Sequence, residues 1–173
     1  MTPEPRDTPP RGPIDPALAD AYRAAEYEVD APAGPVVLRV GVPSPALAAQ
    51  MRAAGAATAA LLTAHNPWSV RADPRDNARM QAALEAELSS RGVARLPARN
   101  RDPQGAWPPE ASVLAFGLAS GEADTLARRF GQNAWLRVDA PDAVPVLVFT
   151  RPVGDHPPIA PRRPGRAPDR EER

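Results

Sequence analysis

The spacing of apolar positions along the chain changes repeatedly between a helical and a strand-like period. Four segments have the helical period, and three of them begin with an N-capping residue followed directly by proline, as first helical turns often do. The predicted helices begin at Asp15-Pro16, Ser44-Pro45, Asp73-Pro74 and Ser120. Glycines that suit helix C-termini end the last three, at Gly55, Gly92 and Gly131.

Seven short segments between or beside these helices have the alternating or continuous apolar pattern of β-strands. They are residues 27–30, 36–42, 59–64, 93–96, 112–118, 134–138 and 144–150. The order of elements predicts an α+β fold, with a single mixed β-sheet of about six to seven strands and three to four packed helices.

Both ends of the chain lack a periodic apolar pattern. Residues 1–14 are rich in proline and charge, and residues 151–173 are rich in proline and arginine. Such segments bury too little surface to offset the entropy lost on ordering. We therefore expect one domain over residues 15–150, between two disordered tails.

The third predicted strand stops in a polar corner, His65-Asn66-Pro67. Ligands of α/β proteins often bind where a central strand ends, so His65 and Asn66 are candidate binding residues. Asn66 has a simpler interpretation, in which its amide only bonds the backbone of its own turn. His65 is more often structural than a general base.

A second group of candidates lies in a long loop, predicted over residues 97–110. It contains Asp102, Trp107 and Glu110, and loops of this length are often functional or mobile. Trp107 is interpreted as a packing lid or as a stacking surface for a ligand ring. Glu110 is either a solvated carboxylate at a strand start or, if desolvated, a general acid or base.

Two neighbouring amides, Gln132 and Asn133, follow the glycine that ends the fourth helix. They either satisfy the last carbonyls of the helix or point toward the end of the sheet and bind a polar ligand. The sequence leaves both interpretations open.

Composition narrows the classes of function. The formal net charge is zero and the isoelectric point is about 6.7, so nucleic acid is an unlikely partner. Cysteine is absent and there are two histidines, His65 and His156, which makes a metal centre improbable. The sequence contains no Gly-rich phosphate-binding loop of the P-loop or Rossmann type, so we predict no cofactor. The N-terminus has no apolar signal region and no apolar run reaches membrane-spanning length, so we expect a cytoplasmic protein with no membrane partner.

Three segments resemble the DUF3293 family, a bacterial family of small proteins without an established function. Residues 63–67 are similar to its Thr-Ala-aromatic-Asn-Pro signature, with His65 at the aromatic position. Residues 102–107 with Glu110, and residues 127–134 with their Phe-Gly-Gln sequence, complete the resemblance. It extends roughly over residues 22–149 and implies a shared fold, but no activity.

Three functions remain as hypotheses. The first is a domain that binds a small polar ligand through His65, Asn66, Asp102, Trp107, Glu110, Gln132 and Asn133. The second is a non-catalytic module that binds a protein partner. The third is an enzyme that uses the carboxylate of Glu110 as an acid or base.

Overall fold

The computed structural model describes residue 10 and residues 12–155. This part of the chain forms four α-helices: α1 (Pro16–Ala24), α2 (Pro45–Ala53), α3 (Pro74–Ser90) and α4 (Ser120–Arg129). It also forms seven strands: β1 (Glu26–Ala31), β2 (Gly34–Leu38), β3 (Thr58–Leu62), β4 (Arg95–Arg101), β5 (Glu110–Phe116), β6 (Ala134–Asp139) and β7 (Val144–Phe149). The α+β class is confirmed.

Side-chain caps explain why three of the helices begin where the sequence predicted. The capping oxygens of Asp15, Ser44 and Asp73 accept hydrogen bonds from the backbone N–H groups of Ala17, Leu47 and Arg75. The fourth helix also begins at Ser120, but Ser120 was expected to be its N-cap, and this was wrong because Ala119 is the N-cap. Here the carboxylate of Glu122 reaches back and accepts the Ala119 N–H at 3.1 Å.

The strands form one sheet in the order β2-β1-β4-β5-β3-β6-β7, and every neighbouring pair is antiparallel. The prediction of a mixed sheet was therefore wrong. Helix α3 does connect two parallel strands, β3 and β4, but β5 lies between them. In the same way α4 connects β5 and β6, and β3 lies between those. These two split β-α-β units together give the ferredoxin-like connectivity, extended by a hairpin at one edge and by β7 at the other.

The predicted loop over residues 97–110 is shorter in the structure. Strand β4 continues to Arg101, so the loop comprises residues 102–109. Pro97 ended the predicted strand because proline is rare inside sheets, but the part of β4 that pairs with β1 begins only at Ala98. Arg99 and Arg101 lie on an exposed face, where both form ion pairs with Glu28.

Apolar cores lie on both faces of the sheet. On one face, α3 and α4 pack against β3 and β5, and their buried side chains include Met80, Leu84, Leu88, Leu126 and Phe130. On the other face, Leu47 and Met51 of α2 join residues from the sheet strands. The sheet curls around this second core until the segment after β2 meets the far edge, where Gly41 N–H donates to the carbonyl of Pro145 at 2.8 Å.

The two predicted tails fall largely outside the described residues, which begin at residue 10 and end at residue 155. At the inner ends of the tails, Ile14 and Val153 form a parallel bridge, and Ile14 is 1% exposed. The ordered body therefore extends beyond residues 15–150, because this apolar side chain finds a buried position. No helix in the described ranges is long and apolar enough to cross a membrane.

Candidate functional site

A tight turn after β3 lies at the centre of the predicted site. Its short 3-10 segment is Pro67–Ser69, and Asn66, Trp68 and Ser69 all have positive φ angles, between 45° and 59°. Trp68 N–H donates to the carbonyl of Gly131 at 2.6 Å. Positive φ angles are unfavourable for non-glycine residues and persist only where surrounding contacts stabilise them. The shape of this turn therefore depends on its contacts.

The side chain of Asn66 is 6% exposed, and both of its polar atoms bond to the protein. Its Oδ1 accepts hydrogen bonds from Ala72 N–H at 2.9 Å and from Asn77 Nδ2 at 3.0 Å. Its Nδ2 donates to Oε1 of Glu110 at 2.5 Å. Asn66 therefore joins the turn to α3 and β5, a wider role than bonding its own turn, and it positions a carboxylate.

Glu110 is the chemically unusual residue of this region. Its Oε1 accepts both from Asn66 and from Trp107 Nε1, the latter at 2.8 Å, whereas no described group donates to Oε2. Burial raises the pKa of Glu110 above its usual value of 4.5, although the two hydrogen bonds act in the opposite direction. Among the described residues it has no ion-pair partner.

Glu110 borders a small cavity on the curled face of the sheet. The cavity measures about 20 Å³ and is also lined by Tyr22, Tyr27 and Asn100, which is room for one water molecule. Burial raises the pKa of both tyrosines, so they are neutral at physiological pH. Tyr27 donates to the backbone carbonyl of Tyr22 at 2.7 Å, and Asn100 Oδ1 lies 3.0 Å from Ser112 Oγ, which donates to it.

The loop of residues 102–109 covers Glu110 through Trp107. Asp102 shapes this loop from within, because its two carboxylate oxygens accept the N–H groups of Gln104 and Trp107 at 2.9 and 3.0 Å. On the outside, the guanidinium of Arg71 lies 4.8 Å from the centre of the Trp107 ring and donates to the carbonyl of Ala106 at 3.2 Å.

Gln132 and Asn133 brace the turn from the start of β6. Gln132 Nε2 donates to the carbonyl oxygens of His65 and Phe130 at 2.9 and 3.1 Å. Asn133 Nδ2 donates to Ser69 Oγ at 3.0 Å. Gln132 thus does satisfy a carbonyl after α4, and each amide also contacts the turn.

His65 is half-buried, and burial lowers the pKa of its imidazole. The ring is therefore neutral at physiological pH. No carboxylate lies within ion-pair distance of it among the described residues, which leaves it without the partner that usually orients a catalytic histidine.

The structure brings all seven predicted residues to one end of the sheet, around the turn after β3. Other members of the site were not predicted: Ser69, Asn77, Asn100 and Arg151, together with Tyr22, which was expected only in the core. Asn77 had a detectable signal, since it is a polar residue next to the apolar row of α3. Ser69 and Asn100 are close in sequence to the predicted Asn66 and Asp102, whereas Tyr22 and Arg151 are distant and had no such signal. The described residues contain no group of three or more acidic or histidine side chains that could hold a metal ion.

The profile of DUF3293, described as a protein of unknown function, matches residues 62–135. The resemblance is confirmed over this segment, which is narrower than the predicted one but contains the turn, the loop, Glu110 and both amides. Neither a curated protein nor a solved structure matches the chain.

Proposed function

We propose that this chain, with its DUF3293 segment, is a binding domain for a small polar molecule, and that the carboxylate of Glu110 is the anchor of the ligand. The observation that carries the proposal is the asymmetry of this carboxylate. Two N–H donors fix Oε1 in place, whereas Oε2 has no donor among the described residues. A ligand N–H or O–H group would complete its hydrogen bonding.

The charge of the site indicates the class of ligand. A half-buried carboxylate without a cationic neighbour is costly in its ionised form, and the raised pKa of Glu110 reflects this cost. A positively charged ligand, such as an ammonium or amidinium group, would favour the ionised form. We therefore expect cationic or strongly hydrogen-bond-donating ligands to bind better than anions.

The cavity of about 20 Å³ holds only a water molecule, so a ligand reaches Glu110 only if the surroundings move. The loop of residues 102–109, which contacts Glu110 through Trp107, is the part that we propose to move. On its outer side the loop is held by the exposed side chain of Arg71 through one stacking contact and one hydrogen bond of 3.2 Å. Such surface contacts contribute little stability, so opening them is inexpensive.

The decisive experiment is a thermal-shift screen of cationic and neutral metabolites, comparing wild type with Glu110→Gln. Glutamine has the same shape, and its Oε1 can still accept from Asn66 and Trp107, so the fold is retained while the charge is lost. We expect cationic ligands to bind the variant about 10- to 100-fold more weakly, the usual value of a hydrogen bond to a charged group.

The matched control for this screen is Glu85→Gln. Glu85 is also a half-buried glutamate that accepts an amide N–H, from Gln81 at 3.1 Å, but it lies on α3, away from the cavity. Equal ligand shifts for wild type and Glu110→Gln would refute the proposal.

Acid or base catalysis by Glu110 is a second candidate function, favoured by the raised pKa of this residue.

The third candidate function is a protein-interaction module. It is favoured by an open groove of about 360 Å³ between α3 and β4, lined by Glu85, Val93, Ala94, Arg95, Pro97 and Val113. Native mass spectrometry of the protein from its own host separates these candidates by whether a small molecule or a protein is retained. The bacterial cytoplasm stays the proposed location, which cell fractionation tests.

A further inference from the structure

Arg151, which follows β7, is held by neutral groups. Its NH1 donates to the backbone carbonyls of Pro10 and Gly12 at 3.0 and 2.8 Å. Its NH2 donates to Oδ1 of Asn133 at 2.7 Å. The guanidinium also lies 5.5 Å from the centre of the Trp68 ring.

Among the described residues, this guanidinium has no negatively charged partner, although it is half-buried. Arg151 is half-buried, its Nε is fully buried, and that Nε makes no hydrogen bond. Within residues 12–155 no carboxylate forms an ion pair with it, whereas the exposed Arg23 pairs with Asp20 at 2.7 Å. Removing a cation from water is unfavourable unless an anion or a full set of acceptors compensates.

Other hydrogen-bond donors are close to Arg151. Asn133 connects it to Ser69, whose Oγ lies 2.6 Å from the hydroxyl of Tyr22. The two hydroxyl groups have two protons, and the bond between them uses one. The other proton can be donated to a further acceptor. Among the described residues, the surroundings of Arg151 thus supply a cation and a hydroxyl donor, and no carboxylate forms an ion pair with the guanidinium.

The N-terminal segment, by which we mean residue 10 and residues 12–14, contacts Arg151 through Pro10 and Gly12. Ile14 anchors this segment. The side chain of Ile14 is buried, its N–H donates to the carbonyl of Pro152 at 2.7 Å, and its carbonyl accepts from Gly154 N–H at 2.9 Å. As a result, the carbonyl oxygens of Pro10 and Gly12 lie where the oxygens of an anion would meet NH1.

We propose that Arg151 is the centre of an anion-binding site for a small oxyanion, and that the N-terminal segment occupies this site when no anion is bound. Carboxylates and phosphates share the oxygen geometry that a guanidinium recognises in two-point contacts. The expected ligand of Arg151 has the opposite charge to the ligand that Glu110 attracts.

The proposal is tested by calorimetric titration of the full chain with inorganic phosphate and, separately, with acetate, with the ionic strength held constant by sodium chloride. We expect Arg151→Gln to weaken binding about tenfold or more, the value of losing a charge-assisted hydrogen bond. Arg23→Gln is the matched control, because Arg23 also stacks on an aromatic ring, 5.4 Å from the centre of Phe149, but already has a carboxylate partner.

Loosening the N-terminal segment should have the opposite effect. Ile14→Ala removes its buried anchor, and Gly154→Pro removes the N–H that the carbonyl of Ile14 accepts. Because an occupied site reduces the apparent affinity, we expect either variant to bind the anion several-fold more tightly than wild type.

Two outcomes would overturn the proposal: equal affinity of wild type and Arg151→Gln, or no anion binding in a loosened variant whose circular dichroism is native. Tighter binding of phosphate than of acetate would support a phosphate-bearing ligand, and the reverse a carboxylate. The readout is anion affinity and the variants are at Arg151, Ile14 and Gly154, so the result does not depend on the proposed function of Glu110.

Discussion

Gly131 illustrates how a single residue supports the turn after β3. It has φ +66°, and a Cβ at this position would lie 2.8 Å from Cβ of Pro67 and 3.3 Å from the Trp68 ring. We expect Gly131→Ala to lower the free energy of unfolding by the backbone cost of about 1–2 kcal/mol and by a further overpacking cost of about 1–3 kcal/mol. Urea denaturation measures the loss.

The matched control is Gly92→Ala, since Gly92 has φ +68° after α3 and nothing within 4 Å of the added methyl. It should lose only the backbone cost of about 1–2 kcal/mol. If both variants lose the same free energy, the contact between Gly131 and the turn has no energetic role.

Asn66 combines a left-handed backbone with a fully bonded side chain, and two substitutions separate these effects. Asn66→Gly keeps the backbone freedom but leaves Asn77, Glu110 and Ala72 N–H without their partner, so we expect a loss of about 2–4 kcal/mol. Asn66→Ala should lose about 1 kcal/mol more, because alanine disfavours φ 45°. Denaturant unfolding of both variants gives the two values, and a stable Asn66→Gly would contradict the bonding role.

At the residue scale, the sequence located candidate positions better than it assigned their roles. His65, Asn66, Gln132 and Asn133 were predicted because they flank buried strands, and they do lie together. The side-chain bonds of these amides, however, go to backbone groups and to other protein side chains, a distinction that depends on side-chain direction across the sheet. Arg151 was assigned to a disordered tail because no periodic pattern surrounds it.

At the scale of an element, the loop of residues 102–109 acts on the protonation of Glu110, because burial raises the pKa of this carboxyl and the indole N–H of Trp107 lowers it. Trp107→Phe keeps an aromatic ring for Arg71 but removes the donor to Oε1. Since this hydrogen bond lowers the pKa of Glu110, we expect the pKa to rise further in the variant. Carbon-13 NMR titration of the side-chain carboxyl measures the shift.

Arg71→Gln serves as the comparison for this titration, because it removes the stacked cation and leaves both donors of Oε1 in place. It should change the pKa of Glu110 much less than Trp107→Phe does. A larger effect of Arg71→Gln would mean that the positive charge of Arg71 has more influence on the pKa of Glu110 than the indole N–H of Trp107.

The elements were predictable to different degrees. Helix starts were found through local chemistry, since a capping oxygen and a proline act within one turn. Strand β4 was cut short because its second half, Pro-Ala-Arg-Asn-Arg, looks like a loop. It is a strand because its backbone pairs with β5 from Arg95 to Asn100 and with β1 from Ala98 to Arg101, a non-local interaction that no local pattern contains.

At the scale of the whole molecule, the class of fold was predictable and the directions of the strands were not. The alternation of helices and strands suggested parallel neighbours, and α3 and α4 do connect parallel strands. The insertion of β5 and β3 between those strands makes the sheet antiparallel. Whether a third strand lies between two parallel strands depends on pairing between residues more than 40 positions apart, such as Leu61 and Leu114. A parallel sheet and this antiparallel sheet have the same apolar pattern along the chain, so the sequence does not distinguish them.

The stability of the whole protein should contain an acid-dependent term from Glu110. Its pKa is higher in the folded protein than the usual 4.5, so between these two values the folded state binds more protons than the unfolded state. Stability from this group is therefore complete below the unfolded pKa and is lost as the pH rises through the folded pKa. Glu110→Gln lacks this term, so its stability relative to wild type should fall when the pH is lowered from about 7 to about 5.

The comparison between variant and wild type is needed because His65 acts in the opposite direction. Its pKa is lowered by burial, so the unfolded state takes up the proton first and acid destabilises the fold as the pH drops below about 6.5. This contribution is common to wild type and Glu110→Gln and cancels in their difference, whereas the Glu110 contribution does not. A difference in the free energy of unfolding that stays constant from about pH 7 to about pH 4, below the unfolded pKa, would show that Glu110 titrates alike in both states. The description of Glu110 as a buried carboxylate with a raised pKa, on which the proposed ligand site rests, would then be wrong.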